Sequence, residues 1–536
     1  MDISNLYFTT ANPILLYTQV QPLLSREKSL LLINNHYSMD FHFILTLSLI
    51  ALTLFVLKNK ARTKRLPPGP WKLPLIGNLH QLGDSPHKSI QRLSRKYGPM
   101  MFLQLGAVPT LVISSADAAM AIFKGGSGHD VVFSGRPNDL CAAKKFSYNL
   151  NSISFAPYGD LWREMRKIAI VELLSSKRVQ SFRTVREEEV AEIVKHIAST
   201  SSTVNLSKLS MLLANNVVCR VAFGKKYGGD GEGSGGKSRF DAVMHETQVL
   251  LGEFFVSDYF PWMWWVNKFN GVEARVEKCF KELDKFYDEV IEDHLVPTRS
   301  KLDHEDIVDV LLRLQKDPSQ VISINNQQIK GILTDMFLAG TDTTASTLIW
   351  IFTELIRNPA CMQKVQAEVR KVATGRHKIE ECDLPKLNYL QLVIKEALRL
   401  HPPAPLSVPR ETTEDCIIGD YEIPAKTRTI MDLRSIGTDP KYWENPNEFR
   451  PERFMNSSVD FKGQHFELLP FGVGRRGCPG SNFAIVLVQL AVANFCNQFD
   501  WELPDGMSVE DVDMEEEIGI TMFKKTPLCL VPTRIL

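Results

Sequence analysis

Neither sign of charge dominates this sequence. Lys and Arg together number 62, and so do Asp and Glu, so no global field attracts nucleic acid. Nine cysteines are scattered along the chain and none forms a C-x-x-C pair. That spacing indicates neither a zinc site nor a disulfide framework, and an odd, sparse set suits a reducing compartment. No internal repeat is present, so the chain is not a repeat array. With 536 residues, 44% of them hydrophobic, a large core is available, and length alone suggests up to three domains. Nothing in the composition divides the chain that way.

Residues 1–38 carry few charges and no clear period. Phe41–Leu57 is then uncharged over 17 residues; as a helix it is about 25 Å long, near the lower limit for a bilayer span. Lys58, Lys60, Arg62, Lys64 and Arg65 follow as a basic flank, which the positive-inside rule assigns to the cytosol. No small-residue cleavage site follows, which favours an uncleaved anchor over a removed signal peptide. Leu66-Pro67-Pro68-Gly69-Pro70 next gives a stiff linker that cannot extend a helix. Met101–Leu105 and Thr110–Ile113 read as a hairpin around Gly106. Gly224–Lys237 is a low-complexity loop that lacks the Gly-Lys-Ser/Thr ending of a nucleotide loop. Residues 254–265 are densely aromatic and read equally as core or as a segment dipping into a membrane interface.

Three patterns carry chemistry. The first is Pro470-Phe471-Gly472-Val473-Gly474-Arg475-Arg476-Gly477-Cys478-Pro479-Gly480, followed by a run apolar on every side from Ser481 to Asn494. A cysteine ahead of a buried helix meets backbone N–H groups and the positive helix end, which stabilise a thiolate. The loop also matches G-x-G-x-x-G, but no strand precedes it and no βαβ unit surrounds it, so a nucleotide reading fails. The second is a helical pattern over Asn326–Arg357 whose middle, Ala339-Gly340-Thr341-Asp342-Thr343-Thr344, is poor helix material. Such a conflict marks a functional site. The third is Glu396 and Arg399, on one helix face at i, i+3 among apolar neighbours.

Phe471-x-x-Gly474-x-Arg476-x-Cys478-x-Gly480 resembles the cysteine-loop signature of cytochromes P450, and the other motifs stand in that family's order. LPPGPWKLPLIGNLHQLG and FGVGRRGCPG look most like plant microsomal A-type members. The resemblance implies a mainly α fold with small β-sheets: a single catalytic domain over 76–536, a transmembrane anchor over 39–58 and a basic, proline-rich hinge over 59–75. Met39-Asp40-Phe41-His42-Phe43 is similar to the start of an anchored member, so residues 1–38 are expected to be an upstream extension.

The implied cofactor is haem b, with Cys478 as axial metal ligand. Phe471 and Gly480 would stand around the sulfur, and Trp162, Arg166, Arg410 and Arg476 would face the propionates. Ala339 and Gly340 would leave room above the haem, while Asp342 and Thr343 would relay protons to bound oxygen. Glu396, Arg399 and Arg453 would form a structural triad. Leu406, Val408 and Ile520 would wall the substrate pocket.

The reaction so implied inserts one atom of O₂ into a small lipophilic metabolite: a terpenoid, alkaloid, phenolic or indolic compound. Electrons would come from NADPH through a separate cytochrome P450 reductase, with cytochrome b5 as a further donor, at the endoplasmic reticulum membrane. A haem-thiolate isomerase or dehydratase, and a non-catalytic haem-binding protein, are the alternatives.

Overall fold

Helical periodicity with short β-patterned insertions becomes a helical body edged by small sheets in the computed structural model. It describes Thr46 and residues 65–535, apart from 125–127, 201, 228–238, 300–304, 320–323 and 518. The chain divides into two units, Met1–Arg65 and Leu66–Leu536. The expected extension and the anchor over 39–58 fall in the first, outside the described residues except for Thr46. Among the described residues one helix has the length and hydropathy to cross a membrane, Leu206–Phe223, and it is mostly buried in protein as a core helix is.

The proline-rich segment is not a free linker from Leu66 onward. Phe102 N–H donates to Pro68 O at 2.9 Å, and a Cβ on Gly69 would stand 2.0 Å from Phe102 O. From Leu66 onward the proline-rich stretch is part of the second unit.

The hairpin forms as the alternation requires. Strand β1 (Met100–Leu105) pairs antiparallel with β2 (Val108–Ile113), and β2 pairs in parallel with a later strand, Arg428–Met431, which also takes Arg410–Glu411 at the sheet edge. Leu103 on one face of the hairpin and Leu111 and Ile113 on the other are fully buried, in separate clusters.

The helices that matter for the site are α1 (Asp160–Ile168), α2 (Leu206–Phe223), α3 (Arg239–Gly252), α4 (Asn326–Arg357), α5 (Asn388–Leu400) and α6 (Ser481–Gln498). Helix α4 starts at a full capping box, with Asn325 and Gln328 satisfying each other's backbone N–H, and it ends before Pro359. Four of its six threonines bond back along the helix: Thr334 to Lys330 O, Thr343 to Ala339 O, Thr347 to Thr343 O and Thr353 to Ile349 O. Helix α6 is apolar all round because Leu487, Leu490, Val492 and Phe495 are all buried. Its buried Asn494 is satisfied by the backbone of Ile379 and by Leu490 O.

Beneath this body Glu396 closes a charge centre. It accepts from Arg399 through both oxygens at 2.8 Å, from Arg453 Nε at 2.8 Å and from Arg450 N–H at 2.8 Å. The remaining Arg399 donors reach the carbonyls of Gly437, Pro446 and Glu448. A Cβ on Gly437 would lie 2.5 Å from Arg399 O, so no larger residue lets the two segments meet.

Candidate active site

The cysteine loop, α1, the middle of α4 and the segment before Arg410 converge on one cavity of about 280 Å³. The loop is held in a tight reversal: Cys478 N–H donates to Phe471 O at 2.8 Å, and Gly477 N–H to Gly474 O at 2.9 Å. Gly472 and Gly474 have φ of 70° and 66°, the left-handed region where glycine has no steric penalty. At Gly474 a Cβ would also sit 2.3 Å from an Asp130 carboxylate oxygen. The sulfur faces the cavity. Burial pushes the thiol's pKa up, while the amides of Gly480 and Ser481 and the Arg166 guanidinium pull it down. The net direction is upward. A cation bound in the cavity would make the thiol a thiolate, since a coordinating thiol is deprotonated outright.

Along one edge stand four guanidiniums. Arg476 donates to the carbonyls of Ser134, Ile153 and Ala156, and Arg166 to Gly477 O. Arg410 donates to Val473 O at 2.7 Å. Arg136 donates to the carbonyls of Ser154, Val408 and Pro409, each at 2.7 Å. Burial and then mutual repulsion lower their pKa values, Arg476 to about 9 and Arg136 well below the usual range; burial alone takes Arg410 to about 10. Asp335 is the one acidic side chain among the residues lining the cavity. A buried nitrogen of Arg410, Nη1, has no hydrogen-bond partner. Four cations against one carboxylate, with a donor left over, fit a ligand that brings two negative charges.

Opposite the sulfur, Ala339, Gly340 and Thr343 line the cavity. Gly340 lets α4 lie close to α2, where a Cβ would be 3.1 Å from Val218 Cγ2. Thr343 turns its hydroxyl to Ala339 O at 2.5 Å. Asp342, 100° further round the helix, does not line the cavity. It is buried towards α3, where Gln248 donates to it, and one of its oxygens has no partner. Burial pushes its pKa up to about 7.

Not every expected contact forms. The Trp162 indole N–H donates to Ile153 O at 3.0 Å, and its ring lies 4.2 Å beneath Arg476, so it supports an edge residue and does not itself face the cavity. Val408 lines the cavity, whereas Leu406 packs beside the cluster around Leu103 and Val112. Ile520 is likewise absent from the cavity wall; the next residues of its loop are pinned outside it, Met522 O accepting from Ser346 and Trp350 of α4. The sequence reading missed Arg136 and Asp335. A lone arginine in Gly135-Arg136-Pro137 carries no pattern, but a single acid within the apolar run Ile332-Leu333-Thr334-Asp335-Met336-Phe337 was a usable signal.

Residues 67–530 match the family model for cytochrome P450. The chain belongs to the cytochrome P450 family. Among plant relatives, Cytochrome P450 71A9 of Glycine max is 56% identical over 92% of this chain and 98% of its own length. Strychnine-11-hydroxylase of Strychnos nux-vomica is 53% identical over 92% and 98%, and Cytochrome P450 71A1 of Persea americana is 50% identical over 90% and 97%. This cytochrome P450 is therefore a plant A-type monooxygenase, an oxidoreductase of the haem-dependent class. The haem's two propionates and iron suit the overcharged arginine edge and the facing cysteine.

Proposed function

We propose that this cytochrome P450 holds haem b with Cys478 as the iron ligand and the propionates against Arg136, Arg166, Arg410 and Arg476, and hydroxylates a small lipophilic plant metabolite. The observation that carries the reading is the pairing, in one cavity, of a lone thiol with an uncompensated set of buried guanidiniums. When bound, the haem supplies activation of O₂, which a thiolate ligand promotes. The chain's own part is to seat that group, exclude water with apolar walls and offer the Thr343 hydroxyl beside the reacting position. Asp342 is the buried acid that supplies protons from behind the helix. Electrons come from NADPH through a separate cytochrome P450 reductase, with cytochrome b5 as a second donor.

The substrate class rests on the relative named for hydroxylating strychnine, an alkaloid, and on the apolar residues of the cavity. Membrane attachment at the endoplasmic reticulum rests on the uncharged run before the basic flank. The exposed rings of Trp262, Trp264, Trp265 and Phe269 add to it, because Trp and neighbouring aromatics favour the membrane interface.

The deciding experiment is a reduced, CO-bound spectrum of the purified protein. A Soret band at about 450 nm is expected, with its loss in Cys478→Ala; a wild-type protein without that band would end the reading. Thr343→Ala should raise NADPH consumption relative to product formed, and unchanged coupling would remove Thr343 from proton delivery.

A further inference from the structure

Two arginines of the cavity edge depend on a short stretch of backbone, residues 152–156. Ile153 O accepts from both Arg476 and Trp162, Ser154 O from Arg136, and Ala156 O from Arg476. Two cavity-edge arginines and the indole that supports one of them are thus aimed by three carbonyls of one strap.

The strap has no regular secondary structure to hold it, and it begins under strain. Tyr148, Asn149 and Leu150 have φ of 54°, 59° and 65° in succession. Left-handed backbone is costly for non-glycine residues and persists only where surrounding contacts impose it. Those contacts come from α4. A Cβ on Gly331 would lie 2.4 Å from Asn151 O and 3.4 Å from Ser152 Cβ, so the strap lies directly on the helix there. One turn further on, on the same face, Asp335 accepts from Ser154 N–H at 2.9 Å. The amide of Ile153 and the hydroxyls of Ser152 and Ser154 also point to this carboxylate.

We infer that Gly331 and Asp335 form a dock on α4 that holds the strained strap 148–156 and through it positions Arg136 and Arg476 for the propionates. This rests on the haem reading above. Asp335 is a positioning residue: it acts on the cofactor's seat through the strap.

The test is the rate of haem transfer from the full-length protein to excess apomyoglobin, together with hydrogen exchange across residues 147–156. Asp335→Ala and Gly331→Ala should release haem about tenfold faster and deprotect the Ile153 and Ser154 amides, while amides of α6 keep their protection. Asp335→Asn retains an acceptor oxygen and should stay within about threefold of wild type. In the unsubstituted protein the Ile153 and Ser154 amides should exchange as slowly as core helices, a readout available even if a variant fails to fold.

Release from Asp335→Ala within twofold of wild type would overturn the dock. So would equal damage in Asp335→Asn, or strap amides exchanging like an open loop. A wild-type protein lacking the band at about 450 nm would instead count against the haem reading itself.

Discussion

Two buried arginine centres differ in whether their hydrogen bonds close within the chain. At Glu396 both carboxylate oxygens are occupied by Arg399, Arg453 and a backbone amide, and the spare Arg399 donors end on carbonyls. At the cavity edge Arg136, Arg166, Arg410 and Arg476 share a single cavity-lining carboxylate, Asp335, with Asp130 acting on Arg410 from outside the lining, and a donor of Arg410 has no partner. A buried charge is tolerable when its counter-charge is present, and removing one member leaves the rest stranded. The closed centre is therefore complete in the polypeptide alone. The open one is complete only with an anion from outside the chain.

The comparison predicts opposite responses to losing one charge. Glu396→Ala strands two buried guanidiniums, a loss of about 3–5 kcal/mol, which is a large share of a domain's net stability. Soluble, cooperatively melting protein should not be recovered; a melt within a few degrees of wild type would show that this centre is not closed by Glu396. Arg410→Leu acts the other way. It removes a buried cation that no carboxylate hydrogen-bonds and that has a donor left over, so the cofactor-free protein should be as stable as wild type or more so. Haem retention should fall about tenfold, or about 1.4 kcal/mol. Equal loss of stability with and without haem would place Arg410 with the structural arginines.

The sequence shows these two centres unequally. Glu396 and Arg399 lie three residues apart on one helix and announce themselves, and helix α4 is delimited by its Asn325 cap and by Pro359. The hairpin β1–β2 is equally plain, because alternation and Gly106 are local signals. The open centre is assembled from Arg136, Arg166, Arg410 and Arg476, spread over 340 residues, and no periodicity links them. Arg136 was missed for that reason: its role comes from the strap 148–156, whose left-handed backbone has no composition signature, whereas Asp335 stood out only as a lone acid in an apolar run. Trp162, Leu406 and Ile520 sit where their motifs put them along the chain, but their side chains turn to Ile153 O, to the sheet cluster and away from the cavity wall. Motif position predicts the neighbourhood, while side-chain direction is set by packing.

Asp342 extends the comparison to a single buried acid with no cation beside it. Burial raises its pKa to about 7 from an ordinary 3.8, and the Gln248 hydrogen bond offsets only part of that. A carboxyl whose folded pKa exceeds its unfolded one binds its proton more tightly in the fold. Its stabilising contribution is complete below about pH 4, declines as the pH rises towards 7, and changes no further above that, where both states are ionised. Asp342→Asn carries no proton to lose. The stability difference between variant and wild type should therefore grow in the variant's favour, by about 1 kcal/mol between about pH 5 and 6.5 once water reaching the carboxyl is discounted. Urea unfolding of both proteins across that range reads the effect. Parallel curves would mean that Asp342 finds a counter-charge or solvent in the folded state, and the acid behind Thr343 would then be no proton reservoir near neutral pH.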